Sequence, residues 1–174
     1  MVLESQVRLE KVIKALEKVN DKTIEMILNM AKNMSELEVI QSFNQNSLDF
    51  FNLTTSITTR MGVEQECKMG GYKNLYDTTL KINVKMPIDH YTLIVLEYAN
   101  EIYNEEEHFF LKKQMGDAVL EVGNEFSMVK SDMFKNLWKK LNDEDKSAIK
   151  EKMLLLTTFA HVYFYQTVLK SKSN

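Results

Sequence analysis

The sequence predicts a mainly α-helical multi-helix bundle with an irregular or β-hairpin insertion near residues 62–86. Three observations carry that expectation. Apolar residues recur at the three-and-four spacing of an amphipathic helix through most of the chain. Five Gly and one Pro in 174 residues leave little room for many-turned β architectures. Asn, Asp or Ser followed by acidic residues marks several helix starts, where side-chain oxygens and negative charge meet free N–H groups. At about 150 residues per domain, the length fits one domain, with N-terminal helices in 1–61 and C-terminal helices in 87–174.

The first helix follows from Leu9, Val12, Ile13, Leu16 and Val19, which share one face while Arg8, Glu10, Lys11, Lys14, Glu17 and Lys18 cover the rest. Asn20-Asp21 interrupts the pattern, and Asp21 is read as the cap of a second helix carrying Ile24, Ile27, Leu28, Ala31 and Met34. Ser35 with Glu38 three residues on forms a capping box for a third segment, with Leu37, Ile40 and Phe43 as its apolar groups. Leu48, Phe50, Phe51, Leu53 and Ile57 follow Asn46-Ser47, either as a separate helix or as a continuation.

The middle of the chain reads differently. Tyr76, Thr78, Leu80, Ile82, Val84 and Met86 alternate with Asp77, Thr79, Lys81, Asn83 and Lys85, the pattern of a half-buried strand. Val63, Gln65, Cys67 and Met69 alternate upstream, and Gly70-Gly71 between the two runs suits a two-residue hairpin turn. An ordered loop with one short strand is the alternative. A strand here would present Tyr76, Leu80, Ile82, Val84 and Met86 on one face, with a free edge open to strand addition from another chain. Lys81 and Lys85 on the opposite face would guard that edge.

Helical spacing returns after Pro87, a residue well suited to a first helical turn, with Tyr91, Ile94, Val95, Tyr98 and Ile102 on one face. Asn104 is placed to cap Glu105-Glu106-Glu107, and Phe109, Phe110 and Leu111 follow. Val119, Val122, Phe126 and Val129 allow a further helix, and Met133, Phe134, Leu137, Trp138 and Leu141 form another stripe. Asn142 before Asp143-Glu144-Asp145 opens the last helix, from about Glu144 to Leu169. Ile149, Met153, Leu156, Ala160, Tyr163 and Phe164 face one way there, and Leu154, Leu155, Phe159 and Val162 widen the stripe. A helix apolar on most of its circumference is expected to be central.

Charge and composition narrow the function. Lys and Arg total 22 against 25 Asp and Glu, a net charge of −3, which disfavours a general nucleic-acid binder. No run of about 18 apolar residues predicts a membrane span. The charged start at Glu4, Arg8 and Glu10 lacks a signal core, so the protein is expected to be intracellular. One cysteine, Cys67, excludes an internal disulfide, and without a local histidine it reads as a small buried hydrophobe.

Catalytic constellations are sparse. Glu105 and His108 make one Glu-x-x-His step, whereas a carboxylate-bridged bundle site requires a second such step and two more glutamates. Thr158 precedes His161 by three and Pro87 precedes His90 by three, so neither supplies the partner step. No catalytic, cofactor-binding or metal residue is therefore assigned. Gly70-Gly71-Tyr72-Lys73 lacks the remaining elements of a phosphate loop. The eleven Met are scattered as core filler, and Lys146, Lys150 and Lys152 interleave with acids as a solvated face.

One resemblance spans under half of the chain. Met86-Pro87-Ile88-Asp89-His90-Tyr91, then Glu105-Glu106-Glu107-His108-Phe109-Phe110, Leu137-Trp138-Lys139-Lys140-Leu141, Asn142-Asp143-Glu144-Asp145-Lys146 and the Ile149–Leu156 helix occur in an order that resembles small helical proteins of large nucleocytoplasmic DNA viruses. The resemblance implies a virion component or a host-directed factor, with no catalytic residues. The expected function is a non-enzymatic interaction or assembly component whose partner is a protein, including a second copy of itself. Two alternatives stand beside it. One is a metal-binding bundle or enzyme using Glu105 and His108. The other is a groove protein that binds an amphipathic helix, although no Asn-Trp-Gly-Arg-like motif is present.

Overall fold

A computed structural model describes residues 2–105 and 137–169. The described elements are α1 (Val2–Leu16), α2 (Asp21–Asn33), α3 (Glu36–Arg60), α4 (Glu64–Cys67), α5 (Met69–Ile82), α6 (Met86–Ile94), a 3-10 turn (Leu96–Tyr98), α7 (Ala99–Tyr103) and α8 (Asp143–Phe164). A π turn (Tyr165–Leu169) extends α8. The protein is mainly α, as its periodicity predicts, and the described residues hold no strand.

Helix starts obey the capping chemistry, with one adjustment. Asn20, one residue before the predicted Asp21, accepts from the Thr23 N–H at 2.8 Å, which leaves Asp21 inside the first turn of α2. Ser35 accepts from Glu38 N at 3.1 Å and Asn142 from Asp145 N at 2.7 Å. The two apolar runs after Ser35 are one continuous helix, α3. Asn104 does not open a helix within the described residues; it closes α7, and Glu105 follows with φ of 53°.

The α3 and α8 helices form the axis of the fold and run antiparallel. Arg60 at the end of α3 pairs with Asp145 in the first turn of α8, and Asp49 lies 3.8 Å from Lys152 further along both. Ile40, Phe43, Ser47, Thr54 and Ile57 place a buried stripe along α3 at helical spacing. Two apolar clusters result. Val12, Leu16 and Val19 of the α1 segment join Ile27, Phe43, Leu96, Leu156, Ala160 and Phe164 in one. Ile57, Ile94, Val95, Leu137, Trp138, Ile149 and Met153 form the other. Phe50 and Tyr91 pack against both.

The hairpin expected near residues 62–86 is corrected to helices α4 and α5. Four-residue spacing satisfies both a strand face and a helix face, so Tyr76 and Leu80 fit either pattern. Met69, Tyr72, Tyr76 and Leu80 are in fact a helical stripe at intervals of three, four and four. Gly70 and Gly71 lie in the first turn of α5 with no positive φ; among the described residues that conformation falls to Gly62, Lys68 and Glu105.

Candidate interaction surface

The segment that carries the expected interaction residues is pinned to α3 at both ends. At its start, the Glu64 carboxylate collects three donors: Thr58 Oγ1 at 2.7 Å, Met69 N at 3.0 Å and Gly70 N at 3.0 Å. Two of these are orphan N–H groups of the first turn of α5, so Glu64 caps a helix that lacks a cap at its own N-terminal residue. Partial burial opposes its ionisation, but the three hydrogen bonds prevail and hold the carboxyl below its ordinary value. A Cβ on Gly70 would sit 3.3 Å from Oε2, so glycine permits this close approach.

The middle of α5 is anchored by Tyr76. Its ring packs on Phe51 with centroids 5.5 Å apart, and its hydroxyl donates to Asn44 Oδ1 at 3.0 Å. The amide nitrogen of the same Asn44 donates to the Val84 carbonyl at 3.0 Å. One side chain of α3 thereby ties both the helix and the turn after it. Asn44, Phe51 and Thr58, seven residues apart, are the α3 stripe that receives α5.

The far end of the segment is a short turn between α5 and α6. Asn83 Oδ1 accepts from Lys85 N at 2.9 Å, and Lys85 Nζ lies 3.3 Å from Glu36 Oε1 at the start of α3. Its apolar side chains are nevertheless left in solvent: Ile82 is 75% exposed and Val84 49% exposed. Leu37, beside Glu36 in the first turn of α3, is 59% exposed. Three large apolar groups therefore occupy one end of the molecule on a backbone held by hydrogen bonds.

The five expected interaction residues do not share a face. Tyr76 is buried, Leu80 and Met86 are half-buried, and Ile82 and Val84 are exposed. This segment forms no strand edge, because its backbone lies in α5, α6 and the turn between them. The exposure of Leu37 is not legible in the sequence, because its position in a regular amphipathic stripe reads as core.

The opposite kind of site lies along α8. Tyr91 Oη and Thr157 Oγ1 are 2.9 Å apart, Tyr103 Oη and His161 Nδ1 are 2.9 Å apart, and Tyr163 donates to Asp89 at 2.5 Å. Gln166 in the π turn donates to the carbonyls of Ala31 and Met34 at 3.2 and 2.7 Å, tying α8 to the end of α2. His161 is fully buried, with the Tyr165 ring 4.8 Å away, and Nε2 has no hydrogen-bond partner among the described residues. Burial lowers it from 6.5 to about 4, so it is neutral at physiological pH.

Other expected residues are dispersed. His90 is half-buried on α6, and Cys67 ends α4. Glu105 is exposed, and His108 lies outside the described residues. Among the described residues no group of three or more His, Cys, Asp or Glu could hold a metal. No described helix is long and apolar enough to cross a membrane. Lys146 and Lys150, read as part of a solvated face, stand 5.7 and 6.0 Å from the Trp138 ring centroid and roof it.

No family model matches the chain, and no solved structure matches it. An uncharacterized protein of Acanthamoeba polyphaga mimivirus is 41% identical over 170 residues, covering 98% of this chain and 94% of the relative. The chain belongs to the family of that mimivirus protein, and the similarity runs through both halves of the sequence.

Proposed function

Within this viral family, we propose that the chain is a non-enzymatic protein-interaction component, acting in the virion or in the host cytoplasm. The observation that carries the reading is the exposure of Leu37, Ile82 and Val84 around a turn pinned by Asn44, Asn83 and Glu36. Exposed apolar side chains gathered on an ordered surface are a feature of binding sites, because their burial against a partner removes apolar area from water. Holding the backbone beforehand lowers the ordering cost of association. Nothing in this role requires a titratable group.

Recovery of the full chain from infected cells tests the role. The wild type is expected to retain a protein partner in fixed ratio. A folded Leu37→Asp/Ile82→Asp double variant is expected to lose it. Equal recovery of the same partner by both chains would refute the assignment of this surface.

A further inference from the structure

The charges around the exposed apolar groups are segregated by element. Glu36 and Glu38 flank Leu37 on the α3 side. On the other side, Lys81 precedes Ile82 at the end of α5 and Lys85 follows Val84 in the turn. All four are exposed. Glu36 and Lys85 meet at 3.3 Å with side chains 44% and 52% exposed, so the acidic and basic sides adjoin across the apolar groups. We propose that the occupant of this surface is a second copy of the same chain, related by a two-fold axis that passes between the start of α3 and the α5–α6 turn.

The inference rests on the interaction reading above and names its partner. In a two-fold interface each residue of one copy meets its counterpart set on the other, so the surface must complement itself. A rim of one sign would repel its own copy. This rim sets Glu36 and Glu38 of one copy against Lys81 and Lys85 of the other, with Leu37, Ile82 and Val84 enclosed. A surface built around three apolar side chains falls at the small end of specific interfaces, so a Kd on the order of 10 µM is expected.

Sedimentation equilibrium of the full chain, up to about 200 µM, well above that Kd, decides it. The wild type is expected to dimerise, and Ile82→Asp, with an unchanged far-ultraviolet spectrum, to weaken the dimer at least about tenfold. Charge reversal separates a specific contact from simple stickiness. Glu36→Lys/Glu38→Lys makes the rim wholly basic, and Lys81→Glu/Lys85→Glu makes it wholly acidic, so each double variant alone is expected to stay monomeric. Mixed in equal amounts, the two are expected to dimerise with each other. A wild type that is monomeric throughout overturns the second-copy proposal and leaves the recovery experiment to judge the surface with another partner. A dimer unaffected by Ile82→Asp, or variants that fail to pair when mixed, overturns it as well.

Discussion

The α8 and α5 helices both pack on α3, yet they are held by different means. The α8 helix buries Ile149, Met153, Leu156, Ala160, Val162 and Phe164, so apolar contact surrounds most of it. The α5 helix buries one large side chain, Tyr76, and depends on discrete polar ties at Glu64 and Asn44. A helix held by a continuous core leaves no apolar surface to spare. One held by a few hydrogen bonds can be fixed while its end carries Ile82 in water. The contrast places buried apolar contact along α8 and exposed apolar side chains at the end of α5.

The largest effect expected from this contrast is at Trp138, which is 1% exposed and packs in the cluster around Ile149 and Met153. Trp138→Ala should destabilise the protein by about 3–5 kcal/mol in urea unfolding, through lost transfer energy and a cavity. A loss below about 1 kcal/mol would show that α8 is not held by its core.

The next concerns His161. Its pKa falls from 6.5 to about 4 on folding because burial disfavours the imidazolium. Between those values the unfolded chain binds the proton more readily than the folded one. Stability is therefore complete above about pH 6.5 and is lost as pH falls toward 4, by about 2 kcal/mol between pH 7 and pH 5. Chemical unfolding at the two pH values should show that loss in the wild type and a smaller one in His161→Gln. Equal losses would mean that His161 is open to solvent.

At the α5 side, Glu64→Ala removes the acceptor for Met69 N and Gly70 N and should cost about 1–2 kcal/mol, the range for a lost cap. Amide exchange should speed up in the first turn of α5 and remain slow in α8. Uniform acceleration would instead make α5 part of the same cooperative unit.

The smallest effect is predicted at Ile82. With three-quarters of its surface already in water, Ile82→Asp should change folding stability by no more than about 0.5 kcal/mol while altering association. A loss of several kcal/mol would place Ile82 in a core and remove the contrast between the two helices.

The legibility of the chain follows the same division. The caps at Ser35 and Asn142 were readable because they depend on residues three apart. The central position of α8 was readable because its apolar residues cover most of a helical wheel. The segment around α5 was misread because its apolar residues are few and four-residue spacing serves strand and helix alike. Its cap, Glu64, sits in another helix, and no local capping pattern announces it. The exposed apolar groups of the proposed surface are half legible: Ile82 and Val84 belong to the segment expected as a strand edge, which is helix and turn instead, and Leu37 reads as part of a buried stripe.

By itself, the sequence determined the helical class, the order of the principal helices, and the starts governed by Ser35 and Asn142. Those properties arise from neighbours within one or two turns, where spacing and capping chemistry act directly. The tertiary structure decided between strand and helix for residues 69–82, whose spacing admits both, buried His161 with no partner for Nε2 among the described residues, and left Leu37, Ile82 and Val84 exposed. Each of these depends on a group far away in the chain: Asn44 for Val84, Tyr103 for His161, Phe51 for Tyr76. Such contacts follow from how α3 is shared between α5 and α8, and no local pattern of residues encodes that sharing.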